Sequence, residues 1–208
     1  MVPDVDAFVE AASRPLPRVV WANPLRAPVE VVSQRIAELC PDATPVPWRP
    51  YTWRVPHDVR PGTWPEFALG LVHTQEEITL WPSLVLAPRP GERVLDLCAS
   101  PGNKSAHLAL QMADTGQLTA NEPVLSRLAP LAELVHRLGL TNVVTTSADG
   151  RALELEPGSF DRVLVDAPCT GEGTSRKSKG HLRFNPSHAR IRMHRIQRGL
   201  LARVLQLV

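Results

Sequence analysis

Four short stretches of this chain bring carboxylates, small residues and a thiol together at spacings that could hold a polar ligand or react with one. The first is Asp96-Leu97-Cys98-Ala99-Ser100-Pro101-Gly102-Asn103-Lys104. Small residues in a turn let a ligand approach the backbone, a helix starting there offers free N–H groups to a carboxylate, and Lys104 adds positive charge. The competing reading is an ordinary strand-to-helix turn. The second is Glu122, closing QLTANE. A carboxylate there can accept from both hydroxyls of a ribose diol, or it is an exposed acid at a strand end. The third is Ser147-Ala148-Asp149-Gly150, where Asp149 could accept from an adenine amino group, although Asp-Gly is also a common turn. The fourth is Asp166-Ala167-Pro168-Cys169-Thr170-Gly171-Glu172-Gly173. An acid beside a cysteine and a glycine loop is a reactive arrangement: Asp166 could hold a proton for a base nitrogen, and Cys169 could be a nucleophile, an acid/base group or a structural thiol.

Each stretch follows an apolar run of strand character. ERVLDLC precedes the first, QLTANE (117–122) contains the second, 142–146 precedes the third and 160–165 the fourth. Helical periodicity fills the gaps, after Gly102 and again from Pro123, where Leu125, Leu128, Leu131, Leu134, Val135 and Leu138 recur at about 3.6 residues with Pro130 among them. Strands alternating with helices predict βαβ units and a parallel sheet with its ligand at the strands' carboxyl ends. A last helix is expected over roughly 189–207. Ahead of these, proline is frequent (Pro41, Pro45, Pro47, Pro50, Pro56, Pro61 and Pro65 among them), which confines that part to short elements. A strand at 16–22, a helix at 28–39 and a short β segment at 45–55 make a small α+β domain over 1–70, followed by the α/β core over 71–208.

Composition narrows the class. Cys40, Cys98 and Cys169 are the three cysteines, too few for a disulfide scaffold and without a CxxC pair for zinc, so a reducing cytoplasm and no metal are expected. No apolar run approaches bilayer length, and the start MVPDVDAFVE lacks a signal-peptide core. Net charge is +2, but it is unevenly spread. From Gly173 onward the chain carries Arg176, Lys177, Lys179, Arg183, Arg190, Arg192, Arg195, Arg198 and Arg203 and no Asp or Glu. Arg176, Lys177, Lys179 and Arg183, just after Cys169, are the better candidates for a phosphate backbone; the later arginines compete with a solvated helix face. Trp48 and Trp53 could stack on bases or pack in a core. Cys40 reads as a packing residue.

DLCASPGNK, ANE, ADG and DAPCTGEG, in this order, resemble the Nol1/Nop2/Sun family of RNA cytosine-5 methyltransferases. Gln75-Glu76-Glu77 and Trp21-Ala22-Asn23-Pro24-Leu25 resemble that family's segments upstream, and PVPW with Trp53 is similar to its bacterial small-subunit ribosomal RNA branch. The resemblance implies a Rossmann-like methyltransferase sheet using S-adenosylmethionine (SAM). In it, Cys98, Ala99, Ser100, Pro101, Gly102, Asn103 and Lys104 wrap the methionine end, Glu122 the ribose and Asp149 the adenine, while Asp166 lies between cofactor and base. The implied substrate is RNA, ribosomal ahead of transfer RNA. Gly-Asn-Lys departs from the family's commoner Gly-Gly-Lys. In that family the attacking cysteine stands in a later Thr-Cys motif and the Pro-Cys cysteine, here Cys169, assists product release. No Thr-Cys string occurs here, so the sheet is expected to be incomplete at its C-terminal side, unless Cys169 attacks directly. A non-catalytic module that binds SAM and RNA is the second reading, a small-molecule methyltransferase the third. Oligomeric state is not legible in the sequence.

Overall fold

The structure, a computed structural model, describes residues 4–171 and 186–208. Helix α1 (Val5–Ser13) is capped by Asp4, which accepts from the Ala7 N–H at 2.9 Å, and buries no residue. Strand β1 (Arg18–Ala22), helix α2 (Val29–Leu39) and strands β2 (Thr44–Pro45) and β3 (Thr52–Val55) follow, then the one-turn helix α3 (Pro65–Ala68) and strand β4 (Val72–Glu76). These strands form an antiparallel sheet in the order β2-β3-β1-β4. The sequence-based boundary at residue 70 cuts this sheet: β4 pairs with β1 from Ala22↔Val72 to Arg18↔Glu76, so the first unit extends to Glu76. β1 is buried from Val19 to Ala22 and needs a hydrogen-bonding partner on both edges. Helix α2 lays Val32 and Ile36 on this sheet, and Cys40 packs beside them.

Helix α4 (Trp81–Leu86) leads into the second unit, which alternates strand β5 (Arg93–Asp96), helix α5 (Asn103–Gln111), strand β6 (Gln117–Asn121), helix α6 (Leu125–Leu138) and strands β7 (Val143–Thr146) and β8 (Arg162–Leu164) before helix α7 (Ser187–Leu207). The sheet is parallel, in the order β7-β6-β5-β8. The chain works outward from β5 through β6 to β7 and then returns to β5's other edge, so the order reverses between β5 and β8. Alternation along β5 fixes its two faces: Val94 packs with Leu108, Ala109, Met112 and Leu138 from α5 and α6, and Leu95 with Leu200, Val204 and Leu207 from α7. α6 runs unbroken through Pro130. Among the described residues no helix is long and apolar enough to cross a membrane.

The seam between the units is polar and tightly bonded. Asn23 donates through Nδ2 to the carbonyls of Gly70 (2.9 Å) and Leu138 (2.8 Å), and Arg26 reaches the last carbonyls of α6 at His136 and Arg137. Two imidazoles lie deeper. Arg137 Nη2 is 2.8 Å from His73 Nδ1, and Arg49 Nε is 3.1 Å from His107 Nε2. A guanidinium can only donate, so both rings accept on those nitrogens and carry their single proton on the other. His73 Nε2–H then points at Asn103 Oδ1 (3.0 Å) and His107 Nδ1–H at Ser83 Oγ (2.6 Å), whose own hydroxyl donates to the Leu80 carbonyl (2.8 Å). Burial, reinforced by the neighbouring Arg137, holds His73 down to about 4; burial, with Arg49 and His73 nearby, holds His107 down to about 3.

A histidine kept neutral in the fold takes up a proton near 6.5 once unfolded, so acid favours unfolding as pH falls from about 6.5 toward those values. Asp96 opposes this: burial raises its carboxyl to about 6, a contribution present at low pH and lost as pH rises through 6. A variant comparison separates the two. His107→Gln can still accept from Arg49 but has no proton to gain. Its melting temperature relative to the unchanged protein is expected to rise as pH falls from 7 to 4 in a thermal-denaturation series. A constant difference across that range would contradict a buried neutral His107.

Candidate functional site

A cleft of about 560 Å³ opens at the carboxyl ends of β5, β6, β7 and β8, against the first half of α7. Cys98 and Ser100 reach it from the β5 turn, Glu122 and Arg127 from the end of β6 and the start of α6, Asp149 and Arg151 from the β7 turn, Asp166 and Cys169 from β8, and Arg192, Met193 and Ile196 from α7. The strand-order reversal between β5 and β8 therefore coincides with the cleft, as an open α/β sheet requires.

Of the ten positions that the sequence assigns to a cofactor, Cys98, Ser100, Glu122, Asp149 and Asp166 face this cleft. The rest of the turn supports them from behind. Ala99 is buried and its N–H donates to the Asn121 carbonyl at 2.9 Å. The Ser100–Pro101 peptide is cis, and Gly102 stands at φ 107° as the N-cap of α5. A Cβ at Gly102 would lie 2.8 Å from the methyl groups of Leu131 and Leu134, so α6 presses directly on that backbone. Lys104 points to β8, its Nζ 2.6 Å from Asp166 Oδ2. Asn103 turns from the cleft to His73 in the first sheet, which gives the departure from Gly-Gly-Lys a structural purpose. Arg176, Lys177, Lys179 and Arg183 lie outside the described residues.

Electrostatically the cleft is a ring of acids, each beside a cation. Glu122 is 2% exposed; its Oε1 accepts from the Val124 N–H at 3.0 Å, and its Oε2 lies 3.6 Å from Arg127, too far for a hydrogen bond and free to accept another. Asp149 accepts from the Arg151 guanidinium and backbone N–H, which draws its carboxyl down to about 2. Cys98 is driven the other way: burial first, then the charges of Asp96, Glu122 and Asp166, push its thiol up to about 12. Cys98 therefore stays protonated and is a poor nucleophile. Cys169 is exposed, its Sγ 3.4 Å from the Gly171 N–H.

Sequence reasoning missed several residues that build the site. Asn121, fully buried, donates to the carbonyls of Leu97 (3.1 Å) and Ala148 (3.0 Å) and accepts from the Ala148 N–H and Thr146 Oγ1, tying three turns together. Its one signal was an amide ending an apolar strand. Asp96 accepts from Ser105 at 2.7 Å and leaves Oδ1 without a partner. Arg127, Arg151 and Met193 give no sequence signal, and Arg192 only the general basicity of the tail. Among the later arginines, Arg203 donates to the carbonyls of Leu153 and Leu155, a packing role. Trp48 stacks on Trp81 at 4.9 Å. Among the described residues no group of His, Cys, Asp or Glu could hold a metal.

A parallel sheet reversing beside its first strand, with an acid after each strand and the cleft above, defines the SAM-dependent methyltransferase class of Rossmann-like domains. Within that class, the model of the 16S rRNA methyltransferase RsmB/F family matches residues 83–208, and the chain belongs to that family. It is 39% identical over 180 residues to the ribosomal RNA small subunit methyltransferase F of Aliivibrio fischeri (strain MJ11), covering 83% of this chain and 38% of that protein. It is 33% identical over 205 residues to the 26S rRNA (cytosine-C(5))-methyltransferase nsun-1 of Caenorhabditis elegans, covering 95% of this chain and 30% of that one. The chain thus spans between 30% and 38% of the length of these two relatives. Among solved structures, the methyltransferase homolog protein from Pyrococcus horikoshii superposes with a TM-score of 0.77 at 30% identity, over 95% of this chain and 63% of that one.

The Gly102 backbone gives a direct test of how firmly the turn is held. Gly102→Ala introduces both an unfavourable φ and a clash with α6, and is expected to lower the unfolding free energy by roughly 1–3 kcal/mol in urea denaturation. A change within about 0.5 kcal/mol would mean that α6 yields at this contact.

Proposed function

We propose that this chain forms the cofactor- and base-binding part of an enzyme that methylates carbon 5 of cytosine in RNA, with SAM as methyl donor. The observation that carries the reading is the convergence of Glu122, Asp149 and Asp166, from the ends of three strands, on one cleft that also holds Cys169. The residues fit the cofactor. Glu122 keeps Oε2 free for a ribose hydroxyl, and Asp149 stands on the same cleft wall for an adenine amino group; a Cβ on Gly150 beside it would lie 2.8–2.9 Å from Leu200 and Leu97, so glycine lets these two cleft residues pack against the turn. Cys98 and Ser100 face the methionine end; Asn103 and Lys104 act on it through the backbone and Asp166. When bound, SAM supplies an electrophilic methyl group.

Carbon 5 of cytosine is a weak nucleophile, and addition of a thiolate to carbon 6 activates it. A proton at N3 favours that addition. Asp166, which lines the cleft with its Oδ2 2.6 Å from Lys104 Nζ, is the group assigned to hold that proton. Of the two cleft thiols, Cys98 stays protonated, which leaves Cys169 to act on the base, in the family's pattern as the residue that assists product release. The target nucleotide has to leave its stack to reach these groups. Ribosomal RNA is the substrate favoured by the relatives' activities, ahead of transfer RNA, and the cytoplasm is the compartment. A second reading is a module that binds SAM and RNA without turnover.

Calorimetric titration with SAM tests the first step. Saturable one-to-one binding is expected, weakened roughly tenfold or more in Glu122→Ala through loss of charge-assisted hydrogen bonds; a folded protein that does not bind SAM would end the proposal. Methyl transfer from labelled SAM to unmodified ribosomal RNA then separates the two readings. Any transfer by this chain is expected to vanish in Cys169→Ala, and transfer surviving that substitution would exclude Cys169 as an essential thiol.

A further inference from the structure

A second cavity, of about 370 Å³, lies in the seam between the units, walled by Trp21, Arg49, Tyr51, His107 and Gln111. It shares no wall residue with the cleft. From Asn103 to Gln111 helix α5 climbs about 12 Å, so this cavity sits well down the helix from the cofactor turn.

We infer that this cavity is an anion site shaped for a nucleotide phosphate, with Arg49 as its principal donor. Arg49 is half-buried, and among the described residues no carboxylate comes within ion-pair distance of it. The other half-buried arginines among the described residues engage a carboxylate or a backbone carbonyl: Arg54 pairs with Glu77 and Arg162 with Glu92, Arg18 donates to the Val59 carbonyl, Arg203 to the Leu153 and Leu155 carbonyls, and Arg137 to the Phe67 carbonyl and His73 while lying over the Phe67 ring. Arg49 uses only Nε, on a neutral imidazole that offers no negative charge, and its two terminal nitrogens make no hydrogen bond to a described residue. Withdrawing a guanidinium from water without a counter-charge is costly, so the fold holds this charge ready for a ligand that brings its own.

The surroundings narrow the chemistry. A guanidinium's parallel N–H groups match two oxygens of a phosphate, and the Gln111 amide, its Nε2 3.3 Å from His107 Nδ1, stands on the same wall. Tyr51 also stands on this cavity, with its backbone at φ 57° and the residue 53% exposed. A bulky side chain rarely adopts that backbone conformation, and such strain gathers at ligand sites. The Tyr51 carbonyl is fixed by the Ala22 N–H at 2.9 Å, which holds the backbone that carries the ring, and the ring can stack on a base. Phosphate oxygens on Arg49 and a base on Tyr51 describe a nucleotide, either within an RNA strand or free. Placement in an RNA strand, as an anchor remote from the reacting base, rests on the methyltransferase reading; the phosphate site does not.

Calorimetry with cytidine 5′-monophosphate and with a single-stranded RNA decamer, on the whole chain at low salt, tests this. Saturable binding of at least one probe is expected, weakened roughly tenfold or more in Arg49→Gln. Gln111→Glu, which brings the missing carboxylate to the same cavity, is expected to weaken binding likewise while holding or raising the melting temperature, so lost binding cannot be mistaken for lost fold. SAM affinity is expected to stay unchanged in both variants. Binding of the decamer alone assigns the site to a strand phosphate, and of the mononucleotide alone to a free nucleotide; either upholds the anion site. Wild-type affinity for both probes in Arg49→Gln, or no binding of either by the unchanged protein, overturns it. A protein that binds phosphate through Arg49 but not SAM would refute the methyltransferase reading and leave this one standing.

Discussion

Two imidazoles that must stay neutral hold the two units of this molecule together. Each faces an arginine, and an arginine can only give protons away, so His73 and His107 are both fixed as acceptors toward the first sheet and the α6 terminus, and as donors toward α5 and α4. The chain of bonds through His73 ends on Asn103, the first residue of α5. The helix that opens the cofactor turn is thereby set against the antiparallel sheet by directional hydrogen bonds rather than by apolar contact alone. A hydrophobic interface tolerates small rotations; a chain of donors and acceptors, each with one remaining partner, does not.

That rigidity matters because the cleft is assembled from four separate turns. Asn121 ties three of them together, the Lys104–Asp166 pair joins the β5 side to β8, and Gly102 is pressed by Leu131 and Leu134. The acids in the cleft are each held near a cation, so binding a neutral hydroxyl or amine is an exchange of partners. Such an exchange avoids the penalty of exposing or burying a bare charge. Glu122 is the exception that shows the logic: it is almost wholly buried, yet one oxygen remains without a hydrogen bond.

The parallel core was readable because each strand ended in a residue too polar for the run before it, and because α5 and α6 keep strict helical spacing. The first unit was harder. Its proline content forecast short elements correctly, but β4 reads VHTQE, with a histidine and a glutamine that in fact point inward to Trp21 and Asn103, so its strand character was hidden by buried polar residues. For the same reason the sequence alone places the boundary at residue 70, before β4. The site's acids and Cys169 were legible through motif order. The tying role of Asn121, although it stands in the ANE motif, and that of Arg127 were not, since their partners at Leu97, Ala148 and Ser100 are backbone groups that only the folded turns bring near. Within the glycine-rich turn, composition could not tell which residues look into the cleft and which look away; Asn103 is the clearest case, facing the first sheet.

Helix α7 divides its labour along its length. Arg192, Met193 and Ile196 wall the cleft, whereas Val204 and Leu207 are sealed beneath the sheet, with Leu200 belonging to both. The two halves therefore meet different surroundings on one continuous rod. Because the second half keeps the rod seated, a change of charge or bulk on the exposed, cleft-facing turns costs the fold little, whereas the same change among the buried turns would unseat the whole helix.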